Sequence, residues 1–341
     1  MTYRRTTARR VSAAAAPLLA VGLLAGCAQE LPVPEAQPAV VGAVVTEEQE
    51  KTIISRVAES VEAATKERDA DALGDRMTGP AKVLRTSQIE VAKQLKSDEQ
   101  VTDLLMTMQS VTLPSDPEWP RVSLAVSTQP KDLTPPTLYA FQQASARADY
   151  KLWGWADLLP GVTLPQFAST DAGAEEVAAD DGDSLAMSPT KAVAAYADVL
   201  SEEKDSKFAK RIEDDDFRDF LAKQESAQVK ADGWEKSEGK YSFSARPDQD
   251  AGVQAMRTVD GGAIVMGAIN SSQVIQLQDK AEAPPSDGFV TQKALFGSQD
   301  VTNVLRTKYM DIVALYVPPA GSEENLRLVG FEHIAVSATN E

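Results

Sequence analysis

The sequence predicts an α+β fold made of two similar modules, each with helices first and a curved antiparallel sheet after them. Three observations predict it. Apolar residues recur at helical spacing after Thr46 and again after Ser188. Short β-rich runs separated by turn signals follow each helical stretch. Between the two sets lies an acidic, Ala/Gly-rich stretch over 169–187, with Glu175-Glu176 and Asp180-Asp181-Gly182-Asp183. The expected organisation is a leader over 1–26, a Pro-rich tether over 27–45, a first module over 46–168, an acidic linker over 169–187 and a second module over 188–341.

The leader carries Arg4, Arg5, Arg9 and Arg10 and no acid, followed by a small apolar run over 11–26. This is the charged start and short apolar middle of a signal peptide. The run is shorter than the roughly 20 apolar residues of a membrane span. It ends in Leu24-Ala25-Gly26-Cys27, which resembles the lipobox of bacterial lipoproteins. The resemblance implies that Leu24, Ala25 and Gly26 form the processing signal and that the chain is cut before Cys27. It also implies that the Cys27 thiol is diacylated, with palmitate-type chains. The protein is then expected on the extracytoplasmic face of the cell membrane, held by that lipid. Two acyl chains exceed the marginal hold of one. Arg9-Arg10 suggests twin-arginine export, but Val11-Ser12-Ala13 follows in place of an apolar-large pair, so Sec export fits better. Pro32, Pro34 and Pro38 make the tether extended and semi-rigid.

The chain has 34 Lys+Arg against 51 Asp+Glu, a net charge of −17, and loss of the four leader arginines takes it to −21. That charge disfavours nucleic acid and anionic headgroups as partners. With 43% apolar residues the chain can bury real cores. Cys27 is the only cysteine, so no disulfide and no cysteine-based metal site is expected. His333 is the only histidine; it lies in a strand-like run and reads as a strand residue, not a base. No metal and no cofactor is expected.

The elements follow in order. Thr46 and Gln49 have the spacing of a capping box, and Ile53, Ile54, Val57, Ala58 and Val61 share one helix face to about Arg68. Asp69 or Asp71 caps a short helix to Met77, and Gly79-Pro80 opens a third, with Val83, Leu84, Val91 and Leu95 on its face. Strands are expected over 121–127, 138–143 and 150–156. In the last, Tyr150, Trp153 and Trp155 read either as a ligand platform or as core beneath a sheet face. Ser188-Pro189 starts the second helical set, which runs through Val193 and Leu200, and a further helix spans 216–229. Strands are expected over 240–245, 253–259, 263–269 and 274–277, with turns at Asp260-Gly261-Gly262 and Asn270-Ser271-Ser272. Residues 307–317 form the strongest strand, which Pro318 to Gly321 turn back into a partner over 326–336.

Val57 and Val193 stand 136 residues apart, and at the same offset Glu67-Arg68-Asp69 is echoed by Glu203-Lys204-Asp205. With the lipobox, this organisation resembles uncharacterised actinobacterial lipoproteins with nuclear-transport-factor-2-like, or cystatin-like, α+β modules. That superfold includes enzymes with a pocket in the sheet concavity and many members that bind or scaffold.

No GxSxG, HExxH or phosphate-cradling loop occurs. Asp214-Asp215-Asp216 reads as a helix cap before it reads as a carboxylate pair. Asp180, Asp181 and Asp183 miss the calcium-loop pattern. The expectation is a lipid-anchored binding or scaffold protein of the cell envelope, not an enzyme, with another envelope protein as partner. The alternatives are a carboxylate-based envelope hydrolase and the solute-binding lipoprotein of an importer.

Overall fold

The computed structural model describes residues 42–130, 134–286 and 288–341. The leader, Leu24 to Cys27 and most of the tether lie outside them. In chain order the helices and strands are α1 (Glu47–Glu67), α2 (Gly79–Leu95), β1 (Met108–Thr112), β2 (Arg121–Ser127), β3 (Thr137–Gln143), β4 (Lys151–Leu158), α3 (Pro189–Glu202), α4 (Asp216–Val229), β5 (Lys240–Pro247), β6 (Val253–Arg257), β7 (Ala263–Gln276), α5 (Val290–Phe296), β8 (Val304–Val317) and β9 (Arg327–Thr339).

Local chemistry sets the helix ends. The Thr46 hydroxyl accepts from Gln49 N and the Gln49 side chain accepts from Thr46 N, which completes the capping box of α1. Pro80 sits in the first turn of α2 and Pro189 in that of α3. Asp215 caps α4 by accepting from Phe217 N and Arg218 N. Ser188 precedes α3 but makes no side-chain cap.

The α+β class holds, with one antiparallel sheet in place of two. Its order is β1-β2-β3-β4-β9-β8-β7-β5, and β6 takes the stretch of the β7 edge that β5 leaves open. The halves meet where β4 pairs with β9 through Asp157–Phe331 and Leu158–Gly330. The pair β7–β8 is buried on both faces. Met266 and Ile312 point into one core with Val57, Leu84 and Trp155. Their neighbours Val265 and Val313 point into a second core with Val193, Tyr196 and Phe217. Burial on both faces explains the unbroken apolar runs of these strands.

Three expectations are corrected. Residues 169–187 are not a solvated linker. Ala174 N donates to Leu113 O, Val177 N donates to Ala255 O, and Ala174, Val177, Leu185 and Met187 are buried. The segment straps the end of β1 to β6. Within it Asp181 accepts from Asp183 N and Ser184 N and pairs with Arg257, so its carboxylate is used in a turn. Asn270-Ser271-Ser272 is not a turn. These residues lie in mid-β7, paired with Met310, Tyr309 and Lys308 on one side and Arg246, Ala245 and Ser244 on the other. Two ladders outweigh the turn preference of Asn and Ser. The last tether residues also pack, since Val44 N donates to Pro114 O and Val45 is buried. The expected Asp260–Gly262 hairpin forms, with Gly261 at φ 86° and Asp260 accepting from Gly262 N.

Among the described residues no helix is long and apolar enough to cross a membrane.

Candidate functional site

Tyr150, Trp153 and Trp155 do not form an open platform. They are 5%, 2% and 0% exposed. Trp153 Nε1 donates to Ala251 O at 3.2 Å and Trp155 Nε1 to Glu332 Oε2 at 3.0 Å. Both faces of β4 are covered, so the alternation expected of a half-exposed strand is lost. The Asp214–Asp216 run is spent on α4: Asp215 caps the helix, pairs with Arg218 at 2.8 Å and accepts from the Tyr196 hydroxyl at 2.9 Å.

The arrangement with chemical reach lies where β8 and β9 run side by side. Their register sets Asp311 opposite His333, and His333 Nδ1 lies 2.6 Å from Asp311 Oδ1. Asp311 is fully buried and the His333 side chain is 6% exposed. An ionised carboxylate can only accept, so Nδ1 carries the proton of this bond and Nε2 is the ring nitrogen left for another partner. Nε2 is buried without a hydrogen-bond partner, and so is Asp311 Oδ2. A buried polar atom left unpaired costs about 1–3 kcal/mol, so such atoms mark strain, water or a ligand.

Aromatic rings fix the imidazole. Tyr309 stacks on it with centroids 4.1 Å apart, and Phe217 and Phe220 lie at 5.3 and 5.8 Å. Burial raises the Tyr309 hydroxyl above its ordinary value and keeps it neutral, donating to Gln273 at 3.0 Å and accepting from Gln292 at 3.2 Å.

His333 lines a cavity of about 280 Å³ to which α2, α4, α5, β8 and β9 all contribute. Apart from the histidine, its walls carry no ionisable group except the neutral Tyr309 phenol. Hydrogen-bonding capacity comes from Gln88, Thr102, Gln224 and Gln292. Gln88 Nε2 donates to Thr102 Oγ1 at 2.7 Å, while Gln88 Oε1 is buried and unpaired. Phe220 and Phe289, 40% and 37% exposed, add apolar surface. The cavity therefore suits a small, uncharged ligand with hydroxyls or amides on its edge and an apolar face.

Among the described residues no group of three or more His, Cys, Asp or Glu side chains is placed to hold a metal ion. Sequence reasoning missed the Asp311–His333 pair. The available signal was Asp311 itself, an acid in the middle of the most apolar strand run, where a charge is rarely buried unless paired.

No curated protein and no solved structure matches the chain. A family model described as "Domain of unknown function (DUF8094)" matches residues 41–340, almost the whole of the fold just described. The chain belongs to the DUF8094 family.

Proposed function

We propose that this protein is a lipid-anchored binding protein of the extracytoplasmic membrane face, and that its ligand seats in the cavity beside Asp311 and His333. The observation that carries the binding reading is the unpartnered His333 Nε2 in a cavity otherwise walled by amides, hydroxyls and aromatic rings. That chemistry favours a neutral polyhydroxylated ring, the size of one sugar unit, presented by an envelope component. The anchoring reading rests on Leu24-Ala25-Gly26-Cys27 after an arginine-led apolar run. The reading of the halves as related modules rests on Val57 and Val193, which take sheet-facing positions on α1 and α3.

Two measurements test it. With Cys27→Ser the chain is expected to leave the membrane fraction or to stay unprocessed; membrane retention of a processed Cys27→Ser chain ends the anchoring reading. For the site, N-acetylglucosamine, glucose and maltose are titrated while thermal unfolding is followed. Saturation at about 100 times Kd adds roughly 2.7 kcal/mol of stability. One of the three is expected to raise the midpoint, and His333→Phe to remove the rise. No shift with any of them sinks the saccharide reading.

The same Nε2 favours a second reading, a hydrolase in which His333 takes a proton from water as general base. It predicts turnover of the bound saccharide that His333→Asn abolishes while binding persists. The carboxylate pair at Asp214–Asp216 is not available to such an enzyme, because Asp215 is committed to capping α4.

A further inference from the structure

A larger cavity, about 930 Å³, is a groove between α1 and residues 98–111. Ile54, Val61, Leu104, Met106 and Met108 give it apolar walls. Its rim carries both signs of charge, and two of the rim carboxylates are already paired, Glu47 with Lys51 and Asp98 with Arg68. One charged lining residue is buried: Arg85 of α2, 2% exposed.

Arg85 is poorly compensated. One Nη donates to Thr102 O at 2.9 Å, and the guanidinium lies 5.6 Å over the Trp155 ring. Its Nε is buried without a partner. Among the described residues none of the ion pairs closer than 4.0 Å includes Arg85. Burial lowers its guanidinium to about 10, which leaves it charged at neutral pH. Glu332 and Asp103 act on it only at longer range. Burial, followed by the Asp157 charge, pushes the Glu332 carboxyl up to about 8, and Glu332 makes no direct ion pair with Arg85. A buried cation with no carboxylate in direct contact is costly unless something supplies one.

We propose that this groove binds a single-chain amphiphilic anion, with its carboxylate on Arg85 and its acyl chain along α1 and residues 104–108. An apolar trough ending at one buried guanidinium matches both parts of such a molecule. An arginine fork holds a carboxylate by two parallel hydrogen bonds. The groove and the Asp311–His333 cavity share Thr102 in their walls but use different charged groups, so each can be tested without the other.

The test uses the full chain carrying Cys27→Ser, so that no attached lipid competes. Sodium dodecanoate, below its micelle concentration, and the neutral probe 1-dodecanol are titrated by calorimetry. Dodecanoate is expected to bind at one site, with dodecanol at least about tenfold weaker. Arg85→Gln should weaken dodecanoate at least about tenfold and leave dodecanol unchanged. Arg85→Lys should keep part of the preference. Ala58→Trp, which fills the groove from α1 and leaves Arg85 in place, should abolish both. Neither Arg85 variant should alter a saccharide response at His333. Equal binding of the two probes, no saturable dodecanoate binding, or dodecanoate bound normally by Ala58→Trp overturns the proposal. So does normal dodecanoate binding by an Arg85→Gln chain shown folded by circular dichroism.

Discussion

Raising the pH from 5 to 8 is expected to weaken this fold. Three glutamates, each with an ordinary value of 4.5, carry most of the effect, and burial raises Asp157 in the same direction. Burial pushes Glu50 to about 7, against a bond from the Ser123 hydroxyl at 2.6 Å. Burial pushes Glu332 to about 8, helped by the charge of Asp157 and opposed by the Trp155 N–H and Arg85. Glu176 rises to about 7 through burial and the nearby Asp116, and being partly exposed it contributes least. The folded protein therefore keeps protons that the unfolded chain has released above about 4.5. Wherever the native state binds more protons, stability falls with pH. The contribution of these groups is complete below their unfolded value and is lost as pH rises through 7 to 8. Each can contribute up to about 1.4 kcal/mol per pH unit within its window. The lowered carboxylates do not cancel this. Asp181, held near 2 chiefly by the Ser184 hydroxyl and backbone, has completed its titration well below pH 5.

Urea unfolding at pH 5, 6, 7 and 8 reads the slope. The midpoint should fall at each step, most steeply between 5 and 7, where the unfolded chain has released these protons and the folded protein still holds them, and less between 7 and 8. Glu332→Gln keeps an acceptor for Trp155 and carries no charge, so it should flatten the profile, matching the parent at pH 5 and exceeding it at pH 8. A parent midpoint that rises with pH, or a Glu332→Gln profile parallel to it, would show that Glu332 is ionised in the folded protein.

Elements fixed by neighbours in sequence were legible. Thr46 and Gln49 stand three residues apart, so the start of α1 needed no tertiary information. The Asp260–Gly262 turn is equally local. What the sequence hid depends on strand pairing. Asn270-Ser271-Ser272 carries turn chemistry, yet β5 and β8 pair with it from both sides. Ala174, Val177 and Leu185 stand among acids and alanines, and the segment after β1, the β6 edge and the Pro319 turn give them their partners. Asp311 and His333 are 22 residues apart, and two bulges in the β8–β9 ladder shift the register. No spacing rule places them opposite each other. Arg85 was hidden for a related reason: on a helix it reads as a surface cation, and the segment 98–106 folding over α2 is what buries it.

Gly330→Ala is expected to cost about 2–3 kcal/mol, a large effect for one methyl group. A Cβ at residue 330 would lie 2.7 Å from Asp157 O and 3.2 Å from Leu158 Cα. Both obstacles are backbone of β4, at the two-pair ladder that joins the halves of the sheet. Gly267→Ala makes the useful contrast. There the new Cβ would overlap the Cγ2 methyl of Val193, where α3 crosses β7 closely. That obstacle is a side chain, so Val193→Ala should recover part of the loss, and the double variant should be more stable than the sum of the single effects predicts. No side-chain replacement can clear the Asp157 carbonyl, so Gly330→Ala should resist rescue. The mode of unfolding carries as much information as the midpoint. Because β7 and β8 serve both cores, tryptophan fluorescence and far-ultraviolet circular dichroism should report one shared transition, shifted together by Gly330→Ala. Two separated transitions, with the circular-dichroism midpoint near that of the parent, would mean that the halves fold independently and that β4–β9 is only a seam.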